Sequence, residues 1–333
     1  VKKTIVHIGP HKTGSSYLQA CFRDYRDALR ARGVLVPAEW EHPGNAAQTV
    51  LVAALRDGGH YEGAIETVAK LRADGAETVL ISAEDLCTLG VVQVQRLRDL
   101  LGDSEVTIVY YVRRTSDLLF SSWQEDVKHN TLVTFPEYAL NHVRNPEASL
   151  FFNLEVRLKP FIEVFGKEAI RIVGYSALRD NDIDLFKHFC QRFLDWPNVQ
   201  PEPQSREINK AATARQIELL RSVNQIERLK NPDRPQNLRG RLDAALPNLD
   251  VTFLFAEMAA CRRQFVFSDA FPMFARFHRE QRQLYAANVV PPCPAEFLFK
   301  LARKEITYIS GDFMLRPGVL EALREVHAKL VGG

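Results

Sequence analysis

Residues 4–22 read TIVHIGPHKTGSSYLQACF. Thr4 to Gly9 is rich in β-branched residues and predicts a strand. From Gly14 onward, Leu18, Cys21, Phe22 and Leu29 fall at helical spacing and predict a helix that ends near Gly33. The glycine-bounded loop Gly9-Pro10-His11-Lys12-Thr13-Gly14-Ser15-Ser16 joins them. In that strand–loop–helix context, backbone N–H groups and the helix dipole favour an anion at Gly14 to Ser16.

The nucleotide-triphosphatase loop, GxxxxGK[ST], requires lysine directly after its second glycine. Here that position is Ser15, and the lysine lies inside the loop at Lys12. A lysine so placed points at the distal group of a ligand whose proximal phosphate rests on the helix N-terminus.

Working outward, Val34 to Val36 is a short extended piece, and Thr78 to Ser82 (TVLIS) and Val106 to Val112 (VTIVYYV) are short β-rich runs. Ile170 to Tyr175 is a further candidate strand. Helical patterns cover about 46–56, 61–73, 153–165 and 182–194. Continuous apolar strands alternating with helices predict an α/β fold, a mainly parallel sheet covered by helices on both faces. After Pro197 the composition shifts to proline-rich loops and long helical patterns. The expected organisation is an α/β core over 1–196 and a mainly helical extension over 197–333 that completes the same domain.

The chain has 333 residues, 46% hydrophobic and 25% charged, which is globular composition. A net charge of +2 carries no polyelectrolyte signal for nucleic acid or an anionic membrane. No apolar run reaches the roughly 18 to 20 residues that span a bilayer. Cys21, Cys87, Cys190, Cys261 and Cys293 are scattered without metal-ligand spacing, so no metal is expected and a reducing cytoplasm fits.

The segment HIGPHKTGSSYLQ resembles the 5′-phosphosulfate loop of the sulfotransferases that use 3′-phosphoadenosine 5′-phosphosulfate (PAPS), roughly PKxGTTxL or QKTGTTxL. Ser15 and Ser16 stand where that family has threonines, and the hydroxyls are retained. The strand Val106 to Val112 runs into Arg113-Arg114-Thr115-Ser116-Asp117, with Ser121 eight positions after Arg113. This resembles the family's 3′-phosphate element RxPxxxxxS, Thr115 replacing its proline. Ile172 to Leu194 and Phe277 to Leu284 (FHREQRQL) are similar to later elements of bacterial and carbohydrate sulfotransferases. The resemblance implies a P-loop-like sulfotransferase fold and a PAPS donor held by His11, Lys12, Thr13, Gly14, Ser15, Ser16, Tyr17, Arg113 and Ser121. It also implies a metal-free, in-line transfer to a hydroxyl or amine, the acceptor leaning to carbohydrate and its cleft completed by the C-terminal extension.

Transfer to a hydroxyl needs a proton acceptor. TVLIS ends in Ala83-Glu84-Asp85, and a carboxylate just past a parallel strand projects into the crevice where ligands bind in such sheets. Glu84 is the first candidate base; Glu39, Glu41 and His42 are rivals after the Val34 to Val36 piece. Lys12 is the candidate for stabilising charge on the bridging oxygen. Helix capping is the competing reading of Glu84, and core packing that of Tyr17 and of Trp40, Trp123 and Trp196 as sugar-stacking surfaces. Arg206, Lys210 and Arg239 are candidates for a later contact to the 3′-phosphate. Two other functions share the strand, loop and helix: a P-loop kinase-like phosphotransferase, which Lys12 and Ser15 argue against, and a non-catalytic nucleotide- or glycan-binding protein.

Overall fold

The computed structural model describes residues 2–57, 61–73, 75–201, 212–267, 272–293 and 304–332. Five strands form a parallel sheet: β1 (Lys3–His7), β2 (Val34–Leu35), β3 (Thr78–Ser82), β4 (Glu105–Val112) and β5 (Ile170–Gly174). Their order is β2-β3-β1-β4-β5. The expected α/β class with a parallel sheet is therefore what the chain adopts.

In chain order the helices begin with α1 (Ser15–Asp24), α2 (Arg26–Arg30), α3 (Thr49–Asp57), α4 (Tyr61–Ala73) and α5 (Val91–Leu101). They continue with α6 (Thr115–Lys128), α7 (Phe135–Val143), α8 (Leu154–Phe165), α9 (Tyr175–Asp180) and α10 (Leu185–Phe193). The later part of the chain holds α11 (Ala214–Lys230), α12 (Arg239–Ala245), α13 (Thr252–Ala260), α14 (Pro272–Tyr285) and α15 (Val319–Val331). Two strands, β6 (Arg262–Phe267) and β7 (Lys304–Ile309), pair antiparallel in this part, which sequence reading assigned to helices and loops.

The strands are rich in apolar residues on both faces because alternate side chains enter two separate cores. Val6, Val79, Ile81, Ile108 and Tyr110 pack on one face with Leu51, Leu55, Leu97, Leu158 and Phe161 of α3, α5 and α8. Ile5, Leu80, Val109, Tyr111 and Val173 pack on the other with Leu18, Phe22, Leu29, Phe186 and Phe189 of α1, α2 and α10. The single helix expected up to Gly33 is instead two, divided at Tyr25. The Tyr25 hydroxyl donates to the Gln200 carbonyl at 2.8 Å and its ring lies 5.1 Å from Phe186. These distant contacts break a locally helical pattern.

The chain divides into two compact units. The first comprises Val1–Arg114, Glu147–Asn209 and Met273–Lys300, and contains the whole parallel sheet. The second comprises Thr115–Pro146, Lys210–Pro272 and Leu301–Gly333. Within it, buried polar contacts organise α11: Arg221 Nε donates to Glu218 Oε2 at 2.9 Å, and His327 Nε2 lies 2.7 Å from Glu227 Oε2. No described helix is long and apolar enough to cross a membrane.

Candidate active site

The carboxyl ends of β1, β3 and β4 place three segments side by side: the loop after His7, the turn after Ser82, and Arg113. The loop is held from within. Thr13 Oγ1 donates to the Pro10 carbonyl at 2.6 Å and Ser15 Oγ to the same oxygen at 3.3 Å, both residues being buried. Those two hydroxyls shape the loop, while Ser16 is exposed. Gly14 precedes α1 at φ 83° with no side-chain hydrogen bond capping the helix. Uncapped N–H groups at a helix start are the physical basis of an anion site.

Gly9 has a different reason to be glycine. Its φ is +84°, and a Cβ there would stand 2.9 Å from both Cα and Cβ of Glu84. The loop and the turn after β3 therefore touch backbone to backbone, which brings Glu84 and Asp85 against the loop's own histidine. His11 Nδ1 lies 3.2 Å from Glu84 Oε1, and His11 Nε2 lies 3.1 Å from Asp85 Oδ1. The second Glu84 oxygen accepts from Gln19 Nε2 of α1 at 3.1 Å.

These contacts set the charges. Hydrogen bonds to Asp85 and Glu84 push the His11 pKa up to about 9 against the opposing effect of burial. Burial alone would raise the Glu84 pKa, but the hydrogen bond and charge of His11, with smaller help from Gln19 and His7, hold it below the usual carboxylate value. Asp85 is lowered chiefly by the His11 hydrogen bond. Beneath the loop, fully buried His7 makes a 2.8 Å hydrogen bond with Ser82 Oγ, and burial lowers its pKa to about 4.

On the other side, Arg113 Nη1 donates to the carbonyl oxygen of Lys12 at 2.6 Å. Its guanidinium lies 5.6 Å from the Tyr175 ring centre. Burial lowers the Arg113 pKa, Tyr175 opposes that, and the charges of Arg179 and Arg114 add to the lowering. Arg114 is itself paired with Asp180. A desolvated arginine beside other cations is stabilised by a neighbouring anion.

The remaining candidates separate by place. Tyr17 donates from its hydroxyl to Asp184 Oδ2 at 2.7 Å, and Asp184 caps α10, so this tyrosine ties α1 to α10. Ser121 lies half-buried within α6, in the second unit. Glu41 is paired with Arg26, Glu39 is exposed, and His42 Nδ1 accepts from the Gly44 N–H at 2.9 Å; all three follow edge strand β2. Trp40 and Trp123 are 2% exposed and belong to the packing. Arg239 pairs with Asp243 at 3.5 Å, and Arg206 and Lys210 lie outside the described residues.

Gln19 and Gln48 were not singled out from sequence. Gln48 is buried, accepts from the Ser82 N–H at 2.7 Å and donates to the Pro37 carbonyl at 2.9 Å, linking the ends of β2 and β3. Their signal was available: a glutamine among apolar residues predicted to face a core is a polar group that must find a partner. A cavity of about 840 Å³, lined in part by Lys3, Glu105 and Arg171, lies at the amino ends of β1, β4 and β5, the opposite edge from the loop. Among the described residues, no group of three or more His, Cys, Asp or Glu side chains is placed to hold a metal ion.

The site thus combines an uncapped helix start, Lys12 and Arg113 with a carboxylate pair balanced by His11. Such an arrangement has the chemistry to attract an anionic group and sets an ionised carboxylate beside that position. No family model and no curated protein matches the chain. Among solved structures, a sulfotransferase from Alicyclobacillus acidocaldarius is similar over 62% of this chain and 89% of its own, at 18% identity and a TM-score of 0.36.

Proposed function

We propose that this chain is a PAPS-dependent sulfotransferase that passes a sulfuryl group to an acceptor hydroxyl, with a carbohydrate as the favoured acceptor class. One observation carries the reading: Arg113, the arginine of the 3′-phosphate motif, is bonded to the backbone of Lys12, the lysine of the phosphosulfate motif. Two motifs far apart in sequence meet at adjacent strand ends, as a donor with charged groups at both its 5′ and 3′ positions requires.

In this reading the 5′-phosphate rests at the start of α1, and Lys12 faces the bridging oxygen on which charge develops as the sulfur–oxygen bond breaks. Arg113 reads the 3′-phosphate. Glu84 accepts the acceptor's proton as its oxygen attacks sulfur in line. The donor supplies the leaving group, and the chemistry calls for no metal. Ser15 at the position where a triphosphatase loop has lysine disfavours the kinase-like alternative.

The test is direct. Isothermal titration should show 3′-phosphoadenosine 5′-phosphate binding tighter than AMP or ATP, and radiolabelled sulfate should pass from PAPS to at least one member of a glycan, lipid and phenol panel without added metal. Equal affinity for AMP and the bisphosphate would sink the reading.

A further inference from the structure

We propose that His11 is a positioning residue and not a ligand of the donor: an imidazolium clamped between Glu84 and Asp85 that, with Gln19, fixes Glu84 as an oriented carboxylate beside the phosphate loop. What Glu84 then does, accepting a proton during transfer, rests on the sulfuryl-transfer reading.

The geometry requires the charged ring. A neutral imidazole has one N–H, and its other nitrogen only accepts. Here both ring nitrogens face carboxylate oxygens, at 3.2 Å and 3.1 Å. Ionised carboxylates only accept, so both contacts are hydrogen bonds only when both nitrogens carry protons. The same two contacts use both donors of the ring, leaving His11 none for a phosphate.

Glu84 is held from two directions. His11 takes Oε1 and Gln19 Nε2 donates to Oε2 at 3.1 Å, so the carboxylate plane cannot turn without losing a bond. A carboxylate offers about four lone-pair sites, so each oxygen keeps capacity for a hydroxyl. Charged and titratable groups around the cluster include His7 of β1, which acts on Glu84, Arg56 of α3, which acts on Asp85, and the buried Cys87 thiol, which is coupled to both carboxylates. Without the imidazolium, two carboxylates would stand unbalanced beside an anionic donor, and burial would drive the Glu84 pKa above its ordinary value.

The proposal separates from a ligand role by where the loss falls. In His11→Gln the acid limb of the rate profile, set by Glu84, should move to higher pH, and any alkaline limb near pH 9 should disappear. Affinity for 3′-phosphoadenosine 5′-phosphate should change less than about threefold, whereas loss of a charged donor contact costs about tenfold or more. Gln19→Leu, which leaves His11 in place, should lower turnover with donor affinity kept.

An NMR titration of the free protein supplies a readout that needs no substrate. The His11 Cε1–H resonance, assigned by its loss in His11→Gln, should titrate near pH 9 and fall toward 6.5 in Glu84→Gln and in Asp85→Asn. A wild-type midpoint near 6.5, an unmoved acid limb, or a tenfold loss of donor affinity in His11→Gln overturns the proposal. The expected titration in a protein that binds no 3′-phosphoadenosine compound supports the clamp and overturns the sulfuryl-transfer reading instead.

Discussion

Arg113 donates to the carbonyl oxygen of Lys12 at 2.6 Å across 101 residues of sequence, so one guanidinium both steadies the loop after β1 and brings a cation to it. Arg113→Ala should weaken 3′-phosphoadenosine 5′-phosphate binding about tenfold to a hundredfold, the equivalent of about 1.5 to 3 kcal/mol for a charge-assisted contact. AMP should lose much less. Calorimetry with both ligands decides between recognition and support, because equal losses would assign Arg113 to the loop alone.

Lys12→Ala should reduce kcat more than donor affinity, since a contact to the bridging oxygen strengthens as charge develops there. Steady-state kinetics set against equilibrium donor binding give the split. A normal kcat with a raised donor KM would make Lys12 a ground-state anchor.

For Glu84→Gln the expected result is a folded protein with donor binding intact and turnover down about 10² to 10⁴-fold, as when a general base is removed. The capping alternative finds no support in the turn itself, where Ala83 holds the capping position and makes no side-chain bond. Glu41→Gln, which breaks only the pair with Arg26, should leave the rate nearly unchanged. The opposite ranking of the two variants would move the base to the segment after β2.

Gly9→Ala should damage both stability and rate. A left-handed φ costs a non-glycine residue about 1 to 2 kcal/mol, and the new Cβ would press on the Glu84 backbone 2.9 Å away. Thermal unfolding should show the loss, and turnover should fall beyond what the unfolded fraction explains because Glu84 is displaced.

Acid sensitivity should come in part from His7, whose pKa burial lowers to about 4, and from buried His278, lowered likewise to about 4. Between that value and 6.5 the unfolded chain binds more protons than the folded one, so stability is full above 6.5 and falls as pH drops toward 4. Urea unfolding at pH 7 and pH 5 checks this. A His7→Gln variant should lose less stability between those two pH values than the wild type.

Much of the frame was readable from local pattern. TVLIS is β3 to the residue, and VTIVYYV lacks only Glu105 of β4, because strands buried on both faces announce themselves as unbroken apolar runs. The antiparallel pair β6 and β7 gave no such run: Arg262, Arg263 and Gln264 are exposed, and the partner strand begins far downstream. In the candidate site, Lys12, Glu84 and Arg113 were legible because parallel strand ends gather at one edge. The contacts of His11 with Glu84 and Asp85 were not, since they depend on the close approach at Gly9, which only the fold reveals. Helix α1 likewise concealed Gln19, whose burial follows from a neighbour in the turn after β3.

The strand order has a consequence for how the molecule comes into being. β1 sits between β3 and β4, so His7 pairs with Ser82 at a separation of 75 residues, and the loop's tie to Arg113 spans 101. During synthesis β1 leaves the ribosome well before either neighbour exists, and its apolar face must wait, either solvated or sheltered by a chaperone. Such distant pairings slow folding. The loop after β1 gains its bond from Arg113 only once that residue has emerged, so, if the proposed function holds, a nascent chain halted before that point should show no affinity for the bisphosphate.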